Sequence, residues 1–388
     1  MTYYVRTGDV PRKRHTWYRS ADGSRLHEEL MGEEGFSGAS SLLYHLRSPS
    51  AITAVEPLSV ARAALTANNP LAPWHLRASK LAPGGDPVLG RHVLLGNATL
   101  TICWVEASAS SDLYRNAAGD ELVYVQSGDA TLESVFGTLR VSAGDYVSIP
   151  ASTTHRWVLP DGGSLGALVL EAAGHVEIPA RYRTPTGQLK EGAPFCERDL
   201  RAPEGPLVSA DTGPTAVLVR TRHGWARHLH ATHPFDVVGW DGCAYPFAFS
   251  IRDFEPIVGR IHQPPPVHQT FAGPGFVVCS FVPRLFDFDP GAVKVPYHHA
   301  NVDSDEVLFY SDGDFMSRRG AGISAGSITL HPAGFVHGPQ PGSVEASADQ
   351  TRTEETAVMV DTFAPLSISA DARSVADADY PWSWAQPL

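Results

Sequence analysis

The chain is poor in features that would mark several common protein classes. Only four of its 388 residues are cysteine. Cys103, Cys196, Cys243 and Cys279 are scattered and form no C-x-x-C pair. That excludes a disulfide framework and a zinc ribbon, and reads as reduced thiols in a reducing compartment. No apolar run approaches the length of a membrane span. The start, Met1-Thr2-Tyr3-Tyr4-Val5-Arg6, has no apolar leader, so a soluble cytoplasmic protein is expected. Basic residues are outnumbered, 30 against 42 acidic, and the net charge is −12. Nucleic acid is therefore not an expected partner. No Gly-rich nucleotide loop is present. No helix of ordinary length with an apolar stripe stands out before residue 110.

What the chain does have is proline and glycine, 31 and 35 residues. With 43% hydrophobic residues, that suits many short strands joined by turns around ample core. His92–Asn97, Thr99–Trp104, Ser40–His45, Thr215–Arg220 and Gly275–Arg284 read as strands. Leu26–Gly32 reads as one or two helical turns stopped by Gly32.

One stretch concentrates metal-ligating side chains. It opens Pro296-Tyr297-His298-His299-Ala300-Asn301 and continues through Asp305-Glu306 into the apolar run Val307-Leu308-Phe309-Tyr310. After a turn at Ser311-Asp312-Gly313-Asp314 it closes with Gly326 to Pro332 and then Val336-His337-Gly338-Pro339. Three antiparallel strands of a small barrel can aim a histidine, a carboxylate and a second histidine at one interior point. Two imidazoles and one carboxylate with open positions are the ligand set of non-haem Fe(II) oxygenases.

Residues 114–158 repeat this stretch. Asn116 lies in register with Asn301, Asp120-Glu121 with Asp305-Glu306, and Gly128-Asp129 with Gly313-Asp314. Gly144 to Pro150 matches Gly326 to Pro332, and His155 matches His337. Such a repeat means two similar β-barrels. It also selects His299 over His298 and Glu306 over Asp305. At the position of His299 the first copy has Tyr114, a poor ligand for ferrous iron. The first barrel is therefore expected to be structural, with Glu121 and His155 kept as hydrogen-bonding residues. The expected organisation is an N-terminal arm, 1–50, then a first barrel, 51–175, with a degenerate metal site. A linker and crossover, 176–235, leads to the second barrel, 236–388, with the iron site. The arm is too polar to form a core and should pack on the rest of the chain or on a neighbouring subunit.

The paired H-x-N-x4-E and G-x5-P-x4-H motifs resemble the cupin superfamily, here as two tandem jelly-roll-like barrels. Within it the chain resembles the homogentisate 1,2-dioxygenase family. The segments that carry the likeness are Leu30-Met31-Gly32 with Ser41-Leu42-Leu43-Tyr44, Asp236 through Tyr245, Phe281-Val282-Pro283-Arg284, Pro296 through Asn301, and His337-Gly338-Pro339.

The resemblance implies an Fe(II) extradiol-type dioxygenase that opens the ring of a hydroquinone bearing an acetate, giving maleylacetoacetate. It implies His299, Glu306 and His337 as iron ligands and His262 as the base that takes a proton from the substrate hydroxyl. Asn301, Tyr297 and Phe315 are the implied substrate-side residues, O2 the co-substrate, and a trimer-based homo-oligomer the assembly. Two positions depart from the family pattern. Ala300 replaces an arginine, and Phe315 replaces a tyrosine near the substrate carboxylate. Gentisate or another 2,5-dihydroxyphenyl compound is therefore an alternative substrate. A metal-dependent isomerase or hydrolase, or a ligand-storing bicupin, are the readings from other classes.

Overall fold

The computed structural model describes residues 2–61, 63–318 and 322–385. It is mainly β, with 41% strand and 10% helix. Among the described residues no helix is long and apolar enough to cross a membrane, and no disulfide joins the four cysteines.

The chain folds into two compact units that are not consecutive in sequence. One contains 1–62, 83–91 and 105–250; the other contains 63–82, 92–104 and 251–388. The division at 50, 175 and 235 expected from the sequence is not the one found. Residues 176–235 lie within the first unit and supply it with strands Thr215–Thr221 and Gly224–His230. These pair with each other, and the second also pairs with Ile52–Leu58. Conversely, Trp74–Arg77 is the edge partner of Ser327–His331 in the second unit. His75 and Leu76 are fully buried there. A strand edge left open by one stretch is closed by a strand distant in sequence, and local composition gives no sign of that.

In the first unit the N-terminal segment is a four-stranded sheet ordered Val5–Gly8, Val237–Gly242, Ser40–His45, His27–Gly32. The helical turns expected at Leu26–Gly32 are therefore a strand, with Leu30 opposite Leu42. Pairing to a buried apolar neighbour overrides the weak local preference for helix. Trp240 anchors this sheet, fully buried, and donates its indole N–H to the Phe136 carbonyl at 2.7 Å. The long strand Glu121–Ser134 pairs in turn with Gly137–Ser142, Asp145–Ile149, His155–Val158 and Leu165–Ala172.

The second unit is built on the order Gln269–Gly273, Phe276–Phe281, Thr356–Thr362, Asp305–Asp312, Ser327–His331, Trp74–Arg77. Asp305–Asp312 is buried at all but its last residue, as a central strand covered on both faces must be. Val307, Phe309, Ile328, Leu330, Val358 and Val360 form its core, with Trp104 packed on Phe309 at 5.6 Å between ring centres. The internal repeat is visible in the backbone. Gly128, inside Glu121–Ser134, and Gly313, just past Asp305–Asp312, sit at equivalent positions with φ of 80° and 104°. A Cβ would fall 1.9 Å from the Ser164 carbonyl oxygen in one and 2.4 Å from that of Glu354 in the other, so only glycine fits.

Candidate metal centre

Three side chains of the second unit converge. His299 and His337 face each other across a two-residue bridge, with mutual N–H to carbonyl hydrogen bonds of 2.8 and 2.9 Å. This backbone pairing fixes both imidazoles on one side, with ring centres 4.4 Å apart. Glu306, the second residue of Asp305–Asp312, completes the set. Ligand atoms of the three lie within 4.8 Å of one another.

The donor chemistry fits a cation. His299 Nδ1 lies 3.0 Å from the Tyr297 carbonyl, and His337 Nδ1 lies 3.0 Å from that of Phe335. A carbonyl only accepts, so both Nδ1 atoms carry the proton and Nε2 is a lone pair in the neutral ring. These two Nε2 atoms stand 3.6 and 3.2 Å from the Glu306 carboxylate. Lone pairs at that distance repel unless a proton or a metal ion lies between them. The hydrogen bond to Glu306 accordingly raises His299 above the usual imidazole range. Burial pushes Glu306 up, yet the surrounding histidines outweigh it and hold it well below the usual carboxylate range.

The neighbouring positions explain why Glu306 and His299, rather than Asp305 and His298, converge here. Asp305 is already engaged, accepting from the Ala333 and Leu366 backbone N–H groups at 2.9 and 2.8 Å. Asp120 plays the same part in the first unit, accepting from Ala151 and Val176 at 2.8 Å each. The acidic pair is thus one loop anchor and one inward carboxylate in both copies. His298 is exposed and outside the cluster.

Sequence reasoning missed His331. It is fully buried, stacks on His337 with ring centres 4.1 Å apart, and places Nδ1 2.8 Å from Glu306 Oε1. The Tyr380 hydroxyl lies 2.9 Å from its Nε2. Burial drives its pKa down to about 3, so it is neutral. A neutral ring that donates from Nδ1 accepts at Nε2, which matches the Tyr380 O–H as donor. His331 thereby orients Glu306 from behind. The available signal was the repeat itself, where the equivalent residue is Ile149.

A cavity of about 420 Å³ opens on His299 and Glu306. His262, Tyr297 and Asn301 line it together with His299 and Glu306. His262 is exposed, with its ring 5.2 Å from Tyr297 and Nδ1 4.0 Å from Asp287. Phe281, Leu308 and Met359 supply apolar wall. Asp361, across the sheet from Glu306, also lines it, and burial raises its carboxyl to about 7. Phe315 is not among the lining residues. It is buried in a cluster with Cys279, Leu308, Tyr310 and Met359. The expectation that Phe315 touches substrate is corrected accordingly: without a hydroxyl to satisfy, the ring gains more from burial in the core than from the cavity surface.

In the first unit the corresponding place is taken by a guanidinium. Arg91 donates to both oxygens of Glu121 at 2.9 Å each and to Glu171 at 2.8 Å. The Tyr114 hydroxyl and the Asn116 amide also donate to Glu121, at 2.7 and 3.0 Å. Burial alone would raise Glu121, but Arg91 outweighs it and holds it down to about 2. His155 keeps its Nδ1 contact to a carbonyl, that of Thr153 at 3.0 Å, while its buried Nε2 has no partner. The imidazole is poised as a ligand nitrogen would be, but the charge facing it belongs to an arginine.

Residues 88–251 match the family model described as homogentisate 1,2-dioxygenase N-terminal. The sequence is 41% identical to the "Putative dioxygenase" of Saccharolobus solfataricus, over 99% of each chain. It is 27% identical to the homogentisate 1,2-dioxygenase of Rhodopseudomonas palustris strain BisB18, over 72% of this chain and 64% of that one. This chain therefore spans less than two thirds of that relative. A solved cupin 2 conserved barrel domain protein from Leptotrichia buccalis aligns with a TM-score of 0.34 at 10% identity, covering 79% of this chain and 98% of its own. The chain belongs to the homogentisate dioxygenase family.

Proposed function

We propose that the protein is an Fe(II)-dependent dioxygenase that opens the ring of a para-hydroquinone. Homogentisate is the first candidate, converted to maleylacetoacetate in aromatic amino-acid catabolism. The observation that carries this reading is the triad His299, Glu306 and His337, with both Nδ1 atoms committed to carbonyls and both Nε2 lone pairs left for a cation. A metal ion held by these three residues would supply Lewis acidity toward the substrate hydroxyl and redox chemistry toward O2.

The chain's own groups do the rest. His262 takes the proton of the substrate hydroxyl. Asp287 lies on the Nδ1 side of that ring, so Nε2 is the nitrogen that meets the substrate. Tyr297 packs edge-on against the rings of both His262 and His299 and keeps the base beside the metal ligands. Phe281, Leu308 and Met359 hold the aromatic ring and exclude water from its face. Asn301 offers an amide to the second hydroxyl. His331 and Tyr380 keep Glu306 from rotating away.

A related hydroquinone, gentisate or a differently substituted 2,5-dihydroxyphenyl compound, is the second reading, because Ala300 and Phe315 bring to the cavity neither the charge nor the hydroxyl that the resemblance assigns to binding an acetate. The reading extends to a cytoplasmic, trimer-based homo-oligomer, supported by the family resemblance. Its test is oxygen uptake by iron-reconstituted protein with homogentisate, its methyl ester, gentisate and hydroquinone, together with product spectra. Oxygen uptake with a ring-opened product is expected. Protein that holds Fe(II) and consumes no oxygen with any of the four rejects the proposal.

A further inference from the structure

Arginine is missing where the resemblance would place it, yet the cavity is not without fixed positive charge. Among its described lining residues are Arg284, Lys294 and Arg318. Two of these are engaged. Arg318 is buried, donates from Nε to the Tyr310 hydroxyl at 3.1 Å and from Nη1 to the Gly338 carbonyl, and lies over the Trp384 ring. Lys294 donates to the Asp287 carbonyl at 2.7 Å.

Arg284 differs. It is half-buried, and its Nη1 makes one long hydrogen bond, 3.3 Å, to the carbonyl of Val282 two residues away. Among the described residues no carboxylate reaches it within 4.0 Å. Its strand, Arg284–Leu285, pairs with Arg352–Thr353, which fixes its backbone against the segment carrying Glu355. Glu355 lines the same cavity but stays beyond ion-pair distance. Burial lowers the pKa of Arg284 and raises that of Glu355, as expected of two charges that do not neutralise each other by contact. A guanidinium has five N–H donors in a planar fork, and a half-buried one with most of them unspent calls for a bidentate anion.

We propose that Arg284 receives the carboxylate on the short side chain of the substrate. This rests on the dioxygenase reading for the ring chemistry, and Arg284 acts as a specificity-determining residue within it. The charge comes from the Arg284–Leu285 strand rather than from position 300. A planar carboxylate matches the fork. The nearby acidic side chains Glu355, Asp361 and Asp287 oppose any second negative charge, so a mono-acid is preferred over a di-acid.

The test compares wild type, Arg284→Lys and Arg284→Met in the full-length, iron-reconstituted protein. Steady-state oxygen uptake is measured with homogentisate and with its methyl ester. Binding of phenylacetate and of phenylacetamide is measured separately by calorimetry, which needs no turnover. Loss of charge-assisted hydrogen bonds predicts a rise of about 10–100-fold in KM for the acid in Arg284→Met, with kcat within about threefold. Arg284→Lys, which keeps charge and loses the fork, falls between. The ester and the amide change little, and phenylacetate affinity falls by the same factor as KM rises. Equal losses for acid and ester, or no change in either variant, overturn the assignment. If Arg284→Met does not fold, the acid-to-ester contrast in Arg284→Lys decides by the same criterion. If no hydroquinone supports oxygen uptake but phenylacetate binding still depends on Arg284, the ring-cleavage reading fails and the acid subsite stands.

Discussion

Replacing Arg91 by methionine should destabilise the first unit by about 3–5 kcal/mol, because it strips the cation from two buried carboxylates. Arg91, Glu121 and Glu171 have side-chain exposures of only 5%, 1% and 7%. Their contacts are short and, toward Glu121, bidentate. The depression of Glu121 from 4.5 to about 2 corresponds on its own to roughly 3 kcal/mol. Glu171 retains a second partner in Arg220, which limits the loss on that side. For a body of about 200 residues, this total lowers Tm by roughly 6–20 °C. The pH dependence separates this cause from simple loss of packing. In the wild type the depressed Glu121 contributes stability that is full above 4.5 and lost as pH falls through about 2. In the variant the carboxyl is buried without a cation, so its pKa moves above the unfolded value and protonation relieves the strain. The difference between the two proteins should shrink as pH falls from 7 to 5. Urea denaturation followed by tryptophan fluorescence at several pH values measures it. A loss under about 1 kcal/mol, or one independent of pH, would refute the idea that the guanidinium stands in for a metal ion.

Other outcomes follow from the two sites. Metal analysis should give close to one iron per chain, and His337→Ala should abolish it; two irons per chain would mean that the Arg91 site also binds. His262→Phe should keep its iron while turnover falls by about 10²–10⁴-fold, and iron loss in that variant would make His262 a ligand instead. Burial lowers His45, but hydrogen bonds to Asp236 and Glu29 at 2.7 and 3.0 Å overcome it and raise the ring to about 9. A raised pKa gives stability that is full below 6.5 and lost as pH rises through about 9, on the order of 3 kcal/mol. Unfolding free energy should therefore drop between pH 6 and pH 10 in the wild type and stay flatter in His45→Gln, and parallel curves would contradict the ion pair.

The sequence by itself determined the elements whose signal is local or repeated. The spacing of His299, Glu306 and His337 follows from a strand, a turn and a returning strand, and the chain carries that pattern twice. Comparing Tyr114 with His299 told the copies apart, and the Asp–Glu doublets named the same inward position in both. Only the tertiary structure decided what depends on partners far away in sequence. His331 reads as an ordinary strand residue until the sheet sets it behind Glu306. Arg91 gives no sign of its role, because the carboxylates it neutralises arrive from strands 30 and 80 residues further on. Leu26–Gly32 became a strand because Ser40–His45 was there to pair with it. Phe315 turned into the core because Cys279, Leu308 and Met359 offered it apolar contact. Among the arginines available to a substrate acid, Arg318 proved engaged, Arg319 lies outside the described residues, and Arg284 kept its donors. Hydrogen-bond saturation is a property of three-dimensional neighbours, and no linear pattern encodes it.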